Sequence, residues 1–415
     1  MPDTAPTAVL DSLASVRAWQ EDFYRDLHAH PELSHQEWRT GSSVAARLRE
    51  AGCEVQDKVG GTGVVGILRN GDGRCVLLRA DMDALPVLEA TGLPYASRQV
   101  TDDGVPLMHA CGHDVHITCL LGAVTLLAQA RAQWSGTLVA LFQPAEETAD
   151  GARAMVEGGL ASIVPHVDVA MAQHVLPFPS GLVKSRPGPT LSAADSMRIT
   201  VHGRGAHGSM PQAAVDPVVL AASIVMRLQT VVSREVAPGD TAVLTVGSLQ
   251  AGTKSNVIPD HAVLQLNVRT YDEHTRSTVL DAIERIVRAE CEASGSPKEP
   301  EFELFDRYPL TDNDNDVTDR VAAAFEDYFG DRSGPLPQQS ASEDFSDIPT
   351  ALGAPYTYWG IGGIDADTYR AAEQAGRVAQ DIPVNHSANF APVVQPTLDT
   401  GTQALVVAAL AGLAG

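Results

Sequence analysis

The sequence predicts an α/β protein in which a mostly parallel central sheet, flanked by helices, is interrupted by an inserted domain of βαββαβ order. Three observations lead there. Short apolar runs alternate with helical periodicity through residues 1–190 and again through 306–415, the pattern that builds parallel sheets. Several of those runs open directly into polar motifs, and α/β sheets gather ligands beyond the carboxyl ends of their strands. Between the two stretches, residues 191–305 change character and read strand, helix, strand, strand, helix, strand, the ferredoxin-like split unit. A chain of 415 residues also exceeds the size at which single cores stop growing.

In chain order, residues 11–30 put Leu13, Val16, Trp19, Phe23 and Leu27 on one helical face, with Pro31 as the stop. A second helix is expected over 38–51, ended by Gly52. Runs 64–68 and 75–78 are bounded by glycines and by Asn-Gly-Asp-Gly, and read as two strands paired through a tight connection. The second opens into RADMDALP, which sets Asp81 and Asp83 at its carboxyl end. A helix over 115–131 is followed by a strand over 137–142 that leads into QPAEE. After another helix, a strand over 167–172 leads into Gln173 and His174. The inserted unit reads as strand 196–202, helix 217–232, strands 242–249 and 262–269, helix 277–293 and strand 301–304. Pro, Gly and Asp at 185–190 and 307–314 mark its hinges. Beyond Asp316 come a helix over 317–328, the polar loop QQSASEDFS, a strand over 355–359, a stretch at 360–381 expected on the surface, and a closing helix over 396–413.

Composition removes several function classes. With 29 Lys and Arg against 52 Asp and Glu, the net charge is −23, and the chain lacks the basic patches that phosphate backbones need. No nucleic-acid partner is expected. No apolar run suggests a bilayer span, and the first residues lack the basic and apolar regions of a signal peptide. Five cysteines scattered at 53, 75, 111, 119 and 291 give no disulfide framework. Together these readings make a cytoplasmic protein the expectation, without a membrane partner.

The densest chemistry lies in MHACGHDVH, residues 108–116. Cys111 and His113, one residue apart, offer thiolate and imidazole together, a combination that suits zinc and similar transition metals. That spacing needs a turn, since ligands on one helix face sit three or four apart, so the pair belongs just before the helix that follows. A helix N-terminus also favours a thiolate. An isolated Cys-x-His is more often a buried cysteine beside turn histidines, and the further donors after other strands shift that balance. Adjacent Glu146 and Glu147 are costly as like charges unless a cation or proton separates their roles. A metal hydrolase needs one carboxylate as ligand and one free to take a proton from water.

RADMDALP, MHACGHDVH, QPAEE, QHV, GRGAHGSMP, SNVIPD, SEDF and NHS, in this order from residue 79 to 387, resemble the hippurate hydrolases, N-acyl-amino-acid amidohydrolases and indole-acetyl-amino-acid hydrolases. These are di-metal amidohydrolases and metallopeptidases related to aminoacylase and carboxypeptidase G. RDLHAHPELSHQE, residues 25–37, fits the same pattern. The resemblance implies a metallopeptidase-type catalytic domain with an inserted lid and dimerisation domain. It implies two divalent ions, zinc, manganese, cobalt or nickel, bridged by Cys111, one completed by His113 and His174 and the other by Glu147 and His386. It casts Glu146 as general base and acid, Asp83 as an orienting carboxylate, and Asp81 as a residue that need not bind metal. His207 would reach across a homodimer to the substrate carbonyl, while Asn256 and Arg269 would hold the substrate carboxylate. The implied reaction is amide hydrolysis of small N-acyl amino acids by a metal-activated water. A dipeptidase or aminopeptidase on the same scaffold, or a silent metal-binding homologue, is the alternative. Ala388 and Gln212 depart from the family pattern, which often has Pro and His there.

Overall fold

The structure is a computed structural model that describes residues 5–414; residues 1–4 and 415, which the sequence assigns to the ends of the first domain, lie outside the described residues. The chain forms two compact units. The first runs to Thr190 and resumes with Asp312–Gln338 and from Asp344 onward; the second holds Leu191–Thr311 and Gln339–Glu343. The second unit thus ends later than the 305 boundary read from the sequence, because its last strand continues to Tyr308.

The chain begins with helices α1 (Ala5–Leu10), α2 (Leu13–Ala29) and α3 (Trp38–Glu50), then strands β1 (Glu54–Val59), β2 (Gly63–Asn70) and β3 (Cys75–Asp81). Helix α4 (His113–Gln129) leads to β4 (Gly136–Gln143), α5 (Gly151–Glu157), α6 (Leu160–Ile163), β5 (Val169–Pro179), β6 (Val183–Ser185) and β7 (Gly188–Leu191). The second unit contributes β8 (Ala193–His202), β9 (Ala206–His207), α7 (Pro217–Arg234), β10 (Ala242–Ala251), β11 (Val257–Ile258), β12 (His261–Thr270), α8 (Glu273–Ala293) and β13 (Glu301–Tyr308). The rest is β14 (Thr311–Asn313), α9 (Asn315–Phe329), β15 (Ser333–Pro335), α10 (Asp347–Leu352), β16 (Tyr356–Ile364), α11 (Ala366–Gln374), α12 (Val378–Asp381) and α13 (Val394–Ala414).

The first unit is built on an eight-stranded sheet in the order β1-β2-β4-β3-β5-β16-β6-β15. Its centre is parallel: β3 pairs in parallel with β4 and β5, and β5 with β16. Antiparallel pairing is confined to β1 with β2, β2 with β4, and β16 with β6. All seven residues of β3 are buried, as expected for a strand covered on both faces. Helices α4 and α13 are buried along most of their length and share one core with these strands.

Four expectations are corrected here. Strands β2 and β3 are not partners, because the wholly apolar LVALF of β4 slots between them and the Asn-Gly-Asp-Gly segment only links their ends. His174 lies inside β5 rather than after it. Residues 360–364 are buried sheet, not surface: a Cβ on Gly362 would come 1.8 Å from the Pro179 carbonyl oxygen, so glycine permits the close pairing with β5. Finally, α7 and α13 are by length and composition apolar enough to cross a bilayer, although 72% of the relevant α13 stretch is buried within the protein.

In the second unit an antiparallel sheet of order β10-β12-β8-β13 carries α7 and α8, the βαββαβ topology. Met197, Ile199 and Val201 alternate inward on β8, as do Leu264, Leu266 and Val268 on β12. They meet Leu220, Ile224, Leu228 and Val231 of α7, four residues of one helical face. Each such side chain, once buried, contributes roughly 1.5–3 kcal/mol. The Asp216 carboxylate caps α7 by accepting the Val218 amide at 2.9 Å, with Pro217 pre-set for the first turn.

Candidate active site

The candidate centre lies wholly within the first unit. Gly112, the residue before α4, sits at φ 90°, and a Cβ there would come 2.4 Å from a Val175 methyl. Only glycine suits that left-handed, crowded corner, which sets Cys111 just outside the helix and His113 at its first residue. One donor atom each from Cys111, His113 and Glu147 lies within 4.8 Å of the others. The Cys111 Sγ is 3.4 Å from His174 Nε2, and Glu147 Oε1 is 3.3 Å from His386 Nε2. All five expected ligands are therefore brought together, from the start of α4, the turn after β4, the middle of β5 and a loop near the end of the chain.

Hydrogen bonds fix which nitrogen each imidazole offers. His113 Nδ1 donates to the Asp83 carbonyl at 2.8 Å, with Asp83 Oδ1 at 3.2 Å, and leaves Nε2 inward without a hydrogen-bond partner. His174 Nδ1 donates to the Val175 carbonyl at 2.8 Å and turns Nε2 to the thiol. Glu147 Oε1 is likewise buried and without a hydrogen-bond partner. His386 is held at φ 69°, its N–H bonded to the Ala110 carbonyl at 2.8 Å. The neighbouring Asn385 amide ties this loop to the carbonyls of Cys111 and Val175 at 3.0 and 3.1 Å. Ala388 is accommodated there, its carbonyl accepting the Ala90 amide at 2.8 Å.

The electrostatics ask for positive charge. Burial alone would lower the His113 pKa, but the carboxylates of Asp81, Asp83 and Glu147 outweigh it and raise it to about 10. Burial, then the charges of Glu147, Glu146 and Asp81, pushes the Cys111 thiol well up. His174 is instead held well below its ordinary value, by burial and then by His116, which keeps it neutral as a ligand must be. Orphaned inward donors, a thiol, imidazoles and surplus carboxylate fit divalent transition-metal ions.

Around this set lies a shell that the sequence only partly disclosed. Asp83, which the resemblance casts as an orienting carboxylate, accepts Ser34 Oγ at 2.7 Å and the Glu147 amide at 2.9 Å through Oδ2. Both oxygens of Asp81 are engaged, Oδ2 by Arg79 at 2.7 Å and Oδ1 by His116 at 2.5 Å. His116 was not singled out as a ligand, and although its donors lie near those of Asp81, His113 and His174, its Nε2 already accepts the Val175 amide at 2.9 Å. Buried Arg79 and Gln143 were missed, and so was the role of Asp344 within SEDF; all three bond one another. The only signal for Ser34 was its place in residues 25–37.

His207, Asn256 and Arg269 belong to the second unit. Pairing of β9 with β11 sets His207 opposite Val257, and the Gly208 amide bonds the Asn256 carbonyl at 2.8 Å, so these two expected residues share one exposed two-stranded ribbon. Ser209 N–H donates to His207 Nδ1 at 3.2 Å, with Ser209 Oγ at 2.8 Å, which leaves the ring proton on Nε2. Arg269, on β12, is steadied by Asn267 Oδ1 at 3.1 Å, the Ser340 carbonyl at 2.7 Å and Ser342 Oγ at 3.1 Å.

A model of peptidase family M20/M25/M40 matches residues 77–381, well over half of the chain. The chain belongs to this family. It is accordingly a metal-dependent hydrolase. Among M20 relatives, it is 39% identical over 316 residues to thermostable carboxypeptidase 2 of Saccharolobus solfataricus, covering 75% of this chain and 78% of that one. It is 38% identical over 331 residues to the hippurate hydrolase of Campylobacter jejuni, covering 78% and 83%. Among solved structures it resembles a dinuclear metal-binding M20 peptidase of Bacillus subtilis, with a TM-score of 0.78, 29% identity and coverage of 97% and 99%.

Proposed function

We propose that this M20 protein hydrolyses the amide bond of N-acyl amino acids, with Glu146 as general base and then acid. One arrangement carries the reading. Glu147 sits among the clustered donors while Glu146, one residue earlier in the same turn and only 6% exposed, stands outside that donor set. Two divalent ions, zinc, manganese, cobalt or nickel, would be held by Cys111 between them, by His113 and His174 on one side and by Glu147 and His386 on the other. Such ions, when bound, polarise a substrate carbonyl and acidify water.

The Glu146 carboxylate takes the proton of the attacking water and passes it to the amine nitrogen as the C–N bond breaks. Asp83 fixes the His113 ring by accepting its Nδ1 proton, and His207 Nε2–H donates to the developing oxyanion. Asn256 and Arg269 hold the carboxylate of the amino-acid half. We assign His207 to the site of a partner subunit in a homodimer. Supporting this, β10 is an edge strand with Val243 and Leu249 exposed, and the neighbouring α7 exposes Val218, Val219 and Met226. The free cysteines and the acidic balance fit a cytoplasmic enzyme acting on small molecules, without nucleic-acid or membrane partners.

The carboxypeptidase relative favours a second reading on the same chemistry, since a carboxypeptidase also cuts an amide whose nitrogen belongs to an amino acid with a free carboxylate. Metal-reconstituted protein assayed on N-acetyl, N-benzoyl and indole-acetyl amino acids, N-blocked dipeptides and free dipeptides separates the cases. Turnover of the N-acyl amino acids is expected. Cleavage of blocked dipeptides alone supports the carboxypeptidase, and cleavage of free dipeptides alone overturns both.

A further inference from the structure

The turn that presents Glu146 is under backbone constraint, and its anchor is a residue far away in the chain. Pro144 to Gly151 closes tightly: the Gly151 amide bonds the Ala145 carbonyl at 3.1 Å, and a Cβ on Gly151 would come 1.7 Å from the Pro144 carbonyl oxygen. Ala145, directly before Glu146, is held at φ 51°. An L residue with a Cβ occupies that left-handed region at a cost, so something must hold it there.

Glu37 supplies the hold. Its fully buried carboxylate accepts the Ala145 amide at 2.8 Å and the His35 amide at 3.1 Å through Oε1, and Thr62 Oγ at 2.5 Å through Oε2. Glu147, in contrast, has a separate anchor, its amide bonding Asp83 Oδ2 at 2.9 Å. We propose that Glu37 is a positioning residue for the general base: by clamping Ala145 in its left-handed conformation it aims the Glu146 carboxylate, while Glu147 is placed independently. The proposal rests on the assignment of Glu146 as base.

Four variants test it: Glu37→Ala, Glu37→Gln, Ala145→Gly, and Glu37→Ala combined with Ala145→Gly. Readouts are kcat, KM, bound metal per subunit and amide hydrogen exchange of the 144–147 segment. Glu37→Ala is expected to lower kcat on the order of 10-fold to 100-fold, the scale of a misaimed catalytic group, with KM and metal content unchanged and exchange at Ala145 accelerated. Glu37→Gln keeps an oxygen for the Ala145 amide and should leave kcat within roughly threefold. Ala145→Gly takes positive φ freely and should recover part of the loss in the Glu37→Ala background.

Unchanged kcat in Glu37→Ala, metal loss that matches the activity loss, or no recovery in the double variant overturns the proposal. Should Glu37→Ala fail to fold, Glu37→Asp takes its place, since it keeps the charge but withdraws the oxygen, and an unchanged kcat there is equally fatal. Full turnover in Glu146→Gln would refute the base assignment itself. A normal Glu37→Ala beside an inactive Glu146→Gln refutes only the positioning.

Discussion

Replacing Asp344 by Ala should be among the most damaging single changes in the first unit, although Asp344 is none of the proposed metal ligands. Its Oδ1 accepts the Gln143 side-chain amide at 2.6 Å and Arg79 Nη2 at 3.4 Å, and its Oδ2 accepts the Ala152 amide at 3.0 Å. Arg79 and Asp344 are both fully buried. The truncation strands two neutral donors at about 1–3 kcal/mol each and removes one counter-charge from a buried guanidinium. Loss of a buried ionic partner typically costs about 3–5 kcal/mol. Arg79 keeps Asp81 at 2.7 Å and Gln143 at 2.9 Å, so the costs do not simply add, and about 3–5 kcal/mol is the expected total. At about 2–4 °C per kcal/mol for a large domain, scanning calorimetry should show a Tm roughly 6–20 °C lower. Asp344→Asn, which keeps one acceptor but turns an amide toward the Ala152 N–H, should fall between. A drop smaller than about 2 °C would show that the buried cluster is not the clamp described here.

Glu146→Gln should retain its metal and lose about 100-fold or more in kcat, while Glu147→Gln should lose about one ion per subunit; metal analysis beside kinetics checks both, and reversed phenotypes mean that the pair is assigned backwards. Cys111→Ala should lose metal and hydrolysis together, whereas Cys119→Ala, at a fully buried core position, should keep its stoichiometry; undiminished metal in the Cys111 variant sinks the bridging assignment. Mixing inactive Glu146→Gln and His207→Ala proteins should restore partial activity once subunits exchange, and exchange seen by mass spectrometry without turnover rules out donation in trans. Burial opposes charge on His28, but Asp114 at 2.7 Å and Glu89 at 3.2 Å overcome it and raise the pKa to about 10. The folded state then holds a proton that the unfolded state lacks, so this stability is complete below about pH 6.5 and is lost as pH rises toward about 10. Thermal melts across that window should fall with pH in the native protein and run flatter in His28→Gln.

Part of the candidate site was legible because its motifs stand where an apolar run stops: Asp81, Glu146 and Glu147 declare themselves as polar residues at strand ends, and Cys111 by the density of donors around it. The second unit was legible from its periods, since alternation on β8 and β12 and the four-residue spacing on α7 leave one topology. Strand pairing was not. Nothing within residues 64–78 says that a third strand will part β2 from β3, because that outcome is decided by the burial of β4. Strand β1 also escaped notice, since EVQDKV shows little apolar alternation and five of its six residues are exposed or only half-buried at one edge. The glycines at 360, 362 and 363 imitate a loop in composition, and only the closeness of Leu176 to the first, Pro179 to the second and Val175 to the third explains why a buried strand needs them. Arg79 and Glu37 read as ordinary charges because their worth lies in partners distant in the chain.

The threading of the first unit has a consequence for biosynthesis. Strand β16 occupies the place between β5 and β6, yet a ribosome delivers it only after the whole second unit. His386 follows His174 by 212 residues, which at ordinary elongation speeds is roughly 10–40 s. During that interval the nascent chain carries Cys111, His113, Glu147 and His174 but no His386, and the edge of β5 that β16 will cover is open. With His386 in its proposed role as a ligand, hydrolytic competence waits until the last segment has docked, and chains cut short in translation expose an apolar strand edge, a feature that protein quality control can recognise.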